Sequence, residues 1–403
     1  MNILITGARG FVGKNLSHAL ENIKLGKDRS YGELSIGELY LYDVDSSKEL
    51  LDTACKNADF VFNLAGVNRP REGEKFESGN EDFADLLISL LKKHENKCPV
   101  MFSSSVQASL VGRYNGDYGR SKKNTEEKFF EYQTESGAEV LVYRFPNLFG
   151  KWCRPSYNSV IATFCYNIAN SLPIRVDNEE AELTLLYIDD LVDEMIGLLL
   201  GKRKRCDYDV DVTVLSENGK FCYTDKTHNV KLGKIASLLL DFDRETLLGR
   251  LPLMQKGSFE SKLYSTYLSY LPKEKTLYPI ESSTDERGSF TELIKGEHFG
   301  QISVNRSKPG AVKGNHWHNS KWEIFIVISG RARIDERKLD SDEIISFEVS
   351  GERLEAVRML PGYTHSITNL SDSEELVTLM FASEPFDKEK PDTFYEETYI
   401  NGN

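Results

Sequence analysis

Long apolar runs are missing from this chain, and so are clustered cysteines. No stretch among its 403 residues approaches the roughly 18 consecutive apolar residues of a membrane helix, and Met1 to Gly13 lacks the basic start, long apolar centre and cleavage site of a signal peptide. A cytoplasmic protein with no membrane insertion is expected. The six cysteines, at 55, 98, 153, 165, 206 and 222, are scattered without a CxxC, which argues for reduced thiols filling space and against disulfides or a cysteine zinc site. Positive charge is in the minority: 50 Lys plus Arg against 63 Asp plus Glu leaves a net charge of −13, a sign that disfavours broad binding of nucleic acid or anionic membrane. Repeats and low-complexity tracts are also lacking. What is present, 40% hydrophobic residues including 3 Trp, 19 Tyr and 21 Phe, is the composition of a folded chain too long for one ordinary core.

The first two hundred residues alternate short apolar segments with amphipathic ones, which predicts βαβ units and a mainly parallel sheet. Strands are expected at Met1–Thr6, Leu39–Tyr42, Phe60–Leu64, Val100–Phe102, Val140–Arg144 and Leu183–Tyr187. The fold class is a doubly wound, Rossmann-type α/β sheet. Residues 24–38 and 201–230 read as insertions or loops, the second opening on Gly201-Lys202-Arg203-Lys204-Arg205, a basic run of the kind that is solvated surface. A helical Leu232–Phe242 and a tyrosine-rich Phe259–Leu271 follow. From Tyr278 onward short alternating strands are separated by turn signals such as Lys308-Pro309-Gly310, Ser350-Gly351 and Pro361-Gly362, which predicts an all-β domain. Pro272 marks the boundary, giving domains 1–272 and 273–403.

Directly after the first strand stand Gly7, Arg9, Gly10, Phe11, Val12 and Gly13, then a helical run. Glycines so spaced let the backbone approach a pyrophosphate and turn a helix N-terminus toward its charge, although the same glycines serve a plain tight turn. Further on, Tyr118 and Lys122 are four apart, on one face of any helix that carries them. An ammonium beside a phenol favours the phenolate and makes it a usable proton donor. Val100 to Ser105 ends an apolar strand in hydroxyls suited to holding a carbonyl oxygen. Asp43, ending the second strand, suits a ribose 2′-hydroxyl and NADH, whereas Arg9 suits a 2′-phosphate and NADPH.

With the Asn63-Leu64-Ala65-Gly66 turn, Arg144-Phe145-Pro146-Asn147 and Tyr187-Ile188-Asp189-Asp190, these residues make 1 to about 250 resemble an extended short-chain dehydrogenase/reductase. The resemblance implies that Ser105 is the catalytic hydroxyl, Tyr118 the proton donor, and Lys122 the residue that lowers the phenol's pKa and holds the nicotinamide ribose. Gly7, Gly10, Gly13, Leu64, Ala65 and Gly66 would line the cofactor. Only 13 positions separate Ser105 from Tyr118, fewer than that family usually has.

In the β region, His316, His318 and Glu323 lie close along one segment and His365 follows later, three of the chain's seven histidines in one arrangement. His and Glu alternating along a strand point inward together, and a His from a facing strand completes a divalent-ion site. Zinc suits the ligand types, with iron, manganese and nickel also compatible. The segment Gly310 to Gly330 resembles the first cupin motif, which carries over His316, His318, Glu323 and His365 as metal positions. Asp285 to Glu292 and Gln301 to His316 also resemble the metal-free sugar-nucleotide 3,5-epimerases, where the histidine matching His316 is the base. His316 is thus ligand, base or both, and the tyrosine acid of those epimerases has no counterpart in Leu376–Ser383.

The whole chain resembles a family of bacterial capsular polysaccharide synthesis enzymes in which such a reductase is fused to a cupin. That resemblance implies a UDP-linked 2-acetamido-2,6-dideoxy-4-hexulose, epimerised at C3 by the cupin and reduced at C4 with NADPH to the L-talose-configured sugar, a precursor of N-acetyl-L-fucosamine. Arg69, Arg144 and Asn147 are the expected diphosphate or sugar contacts, and a homodimer is expected. Two other readings remain open: a simple 4-ketohexose reductase with a structural cupin, and an NADP-sensing protein without turnover.

Overall fold

The computed structural model describes residues 1–32, 34–67, 76–210, 212–252, 254–296, 298–387 and 389–400, with backbone only at 76–79 and 113. It divides into two compact units, Met1–Leu239 with Phe259–Leu271, and Leu240–Ser258 with Pro272–Asn403. Within the second unit the excursion is tied in by Leu251, whose N–H donates to the Lys295 carbonyl at 3.1 Å.

In the first unit, β1 (Ile3–Thr6), β2 (Leu39–Tyr42), β3 (Phe60–Asn63), β4 (Val100–Ser105) and β5 (Val140–Phe145) run parallel in the order β2-β1-β3-β4-β5. Helices α1 (Phe11–Lys24), α2 (Lys48–Asn57), α3 (Phe76–Lys93) and α4 (Asp117–Ser136) alternate with them. Parallel strands covered on both faces must be apolar on both, and β1 and β3 are buried at every position. Ile3, Ile5 and Phe62 pack with Leu16 and Leu20 of α1, while Leu4 and Val61 pack with Leu51 of α2 and Leu87 of α3. The chain runs from β1 to β2 on one side and then returns to place β3 on the other. Between the carboxyl ends of β1 and β3 lies the switch point where such sheets bind ligands.

Two expectations need correcting. Leu183–Tyr187 is a strand, but not of this sheet. The next strands are β6 (Asn147–Phe149), β7 (Glu182–Tyr187), β8 (Arg205–Asp209), β9 (Val212–Leu215), β10 (Phe221–Cys222) and β11 (Thr227–Lys231), and β7 pairs with β6 and β11 in a separate three-stranded sheet. The main sheet instead gains β10, parallel to β5, followed by antiparallel β8 and β9, all from the segment read as a loop. Two paired residues are too few to show any period, yet Cys206 and Cys222 are wholly buried there. The basic run is likewise not simply solvated: Arg203 and Arg205 both engage Glu139, at 2.8 and 3.1 Å.

The second unit is two antiparallel sheets. One has the order β12 (Ser282–Asp285), β13 (Gly288–Gly296), β14 (Gly300–Ser307), β21 (Leu376–Ala382), β16 (Glu323–Ser329), β19 (Ala356–Met359). The other runs β18 (Ile344–Ser350), β17 (Arg331–Lys338), β20 (Tyr363–Asn369), β15 (Val312–Trp317), β22 (Phe394–Tyr395). Phe325, Val327, Val357 and Leu376 from the first sheet meet Ala332, Ile334, Val349 and Ile367 from the second in one apolar core. Among the described residues, no helix is long and apolar enough to cross a membrane.

Candidate functional site

A cleft of about 780 Å³ opens at the switch point of the first unit, lined by Gly7, Arg9, Gly10, Phe11, Val12 and Gly13 after β1 and by Leu64 and Gly66 after β3. Ala65 is not part of the lining, but its N–H donates to Thr6 at 3.2 Å and fixes the second loop against the first. The glycine turn is sterically required. Gly7 has φ +66°, and a Cβ on Gly13 would lie 2.1 Å from the Gly7 carbonyl oxygen, so α1 can begin this close to β1 only without side chains. The helix starts at Gly10 with no side-chain cap and no acid in its first turn, which leaves its N–H groups facing the cleft for an anion.

The same cleft holds Ser105, Tyr118 and Lys122. Ser105 ends β4, and Tyr118 and Lys122 lie one turn apart at the start of α4, which brings the three side chains together. Ser103 and Ser104 spend their hydroxyls elsewhere, on the Asn63 carbonyl at 3.2 Å and on Glu126. Burial pushes the Tyr118 phenol up to about 12 despite its hydrogen bond with Ser105. Burial also pulls the Lys122 ammonium down to about 8, against the pull of Glu126. Lys122 sits 6.0 Å from the centre of the Tyr118 ring and donates to the Ser103 carbonyl at 2.9 Å.

Of the expected substrate contacts, Asn147 lines the cleft. Arg144 is committed to a fork with Glu126 at 2.6 and 2.9 Å, nearly out of solvent, with its guanidinium over Tyr208 and Phe221. Arg144 also lines a second cavity beside Asn147. Arg69 lies outside the described residues. Arg9 and Asp43, read as rivals for the cofactor, are joined: the Arg9 N–H donates to the Asp43 carboxylate at 2.7 Å, and its guanidinium pairs with Asp45. Sequence reasoning passed over Arg154, a cation of the cleft wall stacked on Tyr157 at 5.3 Å. It also missed Asn80 of α3, which takes the Val67 N–H at 3.0 Å and donates to Ser121 at 3.2 Å, tying the loop after β3 to α4.

In the second unit His316, His318, Glu323 and His365 each offer a ligand atom within 4.8 Å of the others. β15 supplies His316 and β16 begins at Glu323, while His365 faces His316 across the β15–β20 pair. A bulge between Gly314 and His316 turns the strand, and a Cβ on Gly314 would stand 2.6 Å from the His365 carbonyl oxygen, so only glycine permits this approach. Nε2 of His318 and Nε2 of His365 lie 3.5 and 3.4 Å from Glu323 Oε2, and all three atoms are buried without a hydrogen-bond partner. Orphaned imidazole and carboxylate atoms facing one another are a donor set that could hold a divalent ion. Burial alone would raise the Glu323 carboxyl, yet His318 and His365 hold it well below the usual carboxylate range. His316, the least buried of the four, is pushed down to about 4 by burial and by His365. Asp392, unseen in the sequence, organises the His318 loop: it accepts the N–H groups of Asn319, Ser320 and Lys321, and its carbonyl lies 2.5 Å from His318 Nδ1.

Residues 3–210 match the NAD dependent epimerase/dehydratase family, and residues 283–394 match the polysaccharide biosynthesis C-terminal domain. The chain belongs to the NAD dependent epimerase/dehydratase family. Within it, the chain is 35% identical over 395 residues, 98% of each protein, to the UDP-2-acetamido-2,6-beta-L-arabino-hexul-4-ose reductase of Pseudomonas aeruginosa. It resembles the crystal structure of the capsular polysaccharide assembling protein CapF from Staphylococcus aureus, with a TM-score of 0.82 and 41% identity across 98% of this chain and 100% of that one. The UDP-glucose 4-epimerase of Thermotoga maritima shares the fold alone, with 18% identity, 69% of this chain and 100% of that one, and a TM-score of 0.51.

Proposed function

We propose that the chain is a two-step nucleotide-sugar enzyme of cell-surface polysaccharide synthesis. A UDP-2-acetamido-2,6-dideoxy-4-hexulose is epimerised at C3 in the second unit and then reduced at C4 with NADPH in the first, giving UDP-2-acetamido-2,6-dideoxy-L-talose. The observation that carries the reading is the gathering of Ser105, Tyr118 and Lys122 in the glycine-lined cleft. Its chemistry agrees with the ketosugar reductase that matches this chain along its length. A bound dihydronicotinamide supplies hydride there. Tyr118, its phenol pushed up by burial, delivers the proton to the carbonyl oxygen, and the Ser105 hydroxyl orients that oxygen and the phenol. Lys122, drawn down to about 8 by burial, carries positive charge beside the reacting groups below that pH.

In the second unit His318, Glu323 and His365 fit one divalent ion, zinc by ligand type, which would supply Lewis acidity beside a ketone. His316 is left as the base that takes the C3 proton, since it is the member of the cluster least withdrawn from solvent. The order follows from the chemistry. A 4-keto group acidifies the C3 proton and reduction removes that activation, so epimerisation precedes hydride transfer. Incubation with the 4-keto UDP-sugar, NADPH and D2O tests the whole: one deuterium at C3 and a reduced C4 are expected. Reduction at full speed without deuterium would leave a simple reductase.

A further inference from the structure

Both buried histidines of the cluster turn Nε2 toward Glu323 and Nδ1 away from it, but only one has its far nitrogen satisfied. His318 Nδ1 has the Asp392 carbonyl at 2.5 Å. His365, with no exposure, has a buried Nδ1 lacking any partner among the described residues. Directly across the β17–β20 ladder from His365 stands Glu336, in unbroken register with Ile334 opposite Ile367. Residues directly opposite in an antiparallel pair project to the same face with Cβ atoms about 5 Å apart. Ile334 and Ile367 both enter the apolar core, so Glu336, two positions on, points inward beside His365. Glu336 is 2% exposed; its carboxyl takes the N–H of Leu360, in the turn leading into β20, while Oε1 is buried and equally without a partner.

We propose that Glu336 is a positioning residue for the ion site, accepting the Nδ1–H of His365 on Oε1 and so holding Nε2 as the free lone pair aimed at the ion. In this structure the two atoms are not hydrogen-bonded to each other, and a side-chain rotation that brings Glu336 Oε1 to His365 Nδ1 would satisfy both buried atoms, each costly alone, at once. Such an outer carboxylate fixes both the tautomer and the direction of a ligating imidazole, and its loss weakens the ion typically 10- to 100-fold. Glu336 itself contacts neither ion nor substrate. The inference rests on the divalent-ion reading of His318, Glu323 and His365.

The test is competition for zinc between the full-length protein and a chromophoric chelator, for the unmodified chain, Glu336→Leu and Glu336→Gln, with near-ultraviolet circular dichroism to establish the fold. Glu336→Leu should hold zinc 10- to 100-fold more weakly, with Glu336→Gln between, because its amide oxygen still accepts but carries no charge. Cobalt loading adds a readout that general loosening does not mimic: the visible bands of the bound ion should shift in Glu336→Gln at full occupancy. Should Glu336→Leu not fold, nitrogen-15 NMR of the zinc-loaded unmodified protein decides, since the His365 Nδ1–H must appear as a strongly hydrogen-bonded proton that moves in Glu336→Gln. Equal zinc affinity in folded Glu336→Leu, or a His365 Nδ1–H unaffected by Glu336→Gln, overturns the inference and leaves the ion reading standing. An unmodified chain that takes up no ion overturns both.

Discussion

The two sites bury charge in opposite ways. In the α/β cleft Lys122 is 3% exposed and hydrogen-bonds a carbonyl instead of forming a short ion pair, so burial draws its ammonium down toward neutrality. In the β unit a carboxylate is buried under imidazoles whose facing Nε2 atoms have no partner among the described residues, and His318 and His365 hold it well below the usual carboxylate range. A lone buried cation becomes a group that titrates near working pH, fitted to proton transfer. A buried carboxylate ringed by unsatisfied imidazoles is a cage with a net deficit of positive charge, fitted to a metal.

Removing the proton donor should show the largest effect. Tyr118→Phe is expected to lower NADPH oxidation by about 10²–10⁴-fold while deuterium exchange at C3 continues, because only the cleft uses the phenol. Loss of exchange in the folded variant would mean that the two sites do not divide the work. The matching change to the cage, alanine at His318, Glu323 and His365 together, should take the bound ion from about one per chain to none by metal analysis. Metal retained at full stoichiometry would move the ion elsewhere. His316→Ala should abolish C3 exchange yet leave reduction of pre-epimerised ketosugar near normal, and that contrast is read from product mass.

A pH profile sharpens the comparison at the cleft. With Lys122 drawn down to about 8 from 10.5, its charge is present below that pH and lost above it, so kcat/KM for reduction should fall as pH rises through about 8. The folded state then holds fewer protons on this residue than the unfolded chain between those two values, so its contribution to stability rises with pH across that window. A limb that stays near 10.5 would mean that Lys122 is solvated.

Legibility followed sequence distance. The glycine turn, the serine run and the Tyr118–Lys122 pair are local patterns whose residues meet because one turn or one helical step brings them together. The gathering of His316, His318, Glu323 and His365 was legible because His316 to Glu323 spans a single segment and only His365 had to be brought from another strand. What stayed hidden depends on long-range register: Asp392 clasping the His318 loop from 74 residues away, β10 joining the sheet beside β5 through Cys222 and Tyr143, and Arg144 bound to Glu126. Arg144 shows the limit well. A motif places a cation near a cleft, but only the fold reveals that a buried carboxylate has already claimed it.

The smallest expected effect concerns cofactor choice, where the structure changes the terms. Arg9 and Asp43 are not independent votes for NADPH and NADH, because the Asp43 carboxylate already accepts the Arg9 N–H and the Arg9 guanidinium already pairs with Asp45. A 2′-phosphate arriving there exchanges one exposed ion pair for another. Exposed pairs contribute about 0.2–1 kcal/mol, so the preference resting on Arg9 should be only about fivefold or less. NADPH should still support reduction better than NADH, and Arg9→Ala should narrow the kcat/KM gap by that factor, more so at low salt where screening is weak. Equal use of both cofactors by the unmodified enzyme would give the decision to Asp43. A gap that survives Arg9→Ala at every ionic strength would instead place the phosphate contact on another part of the cleft wall.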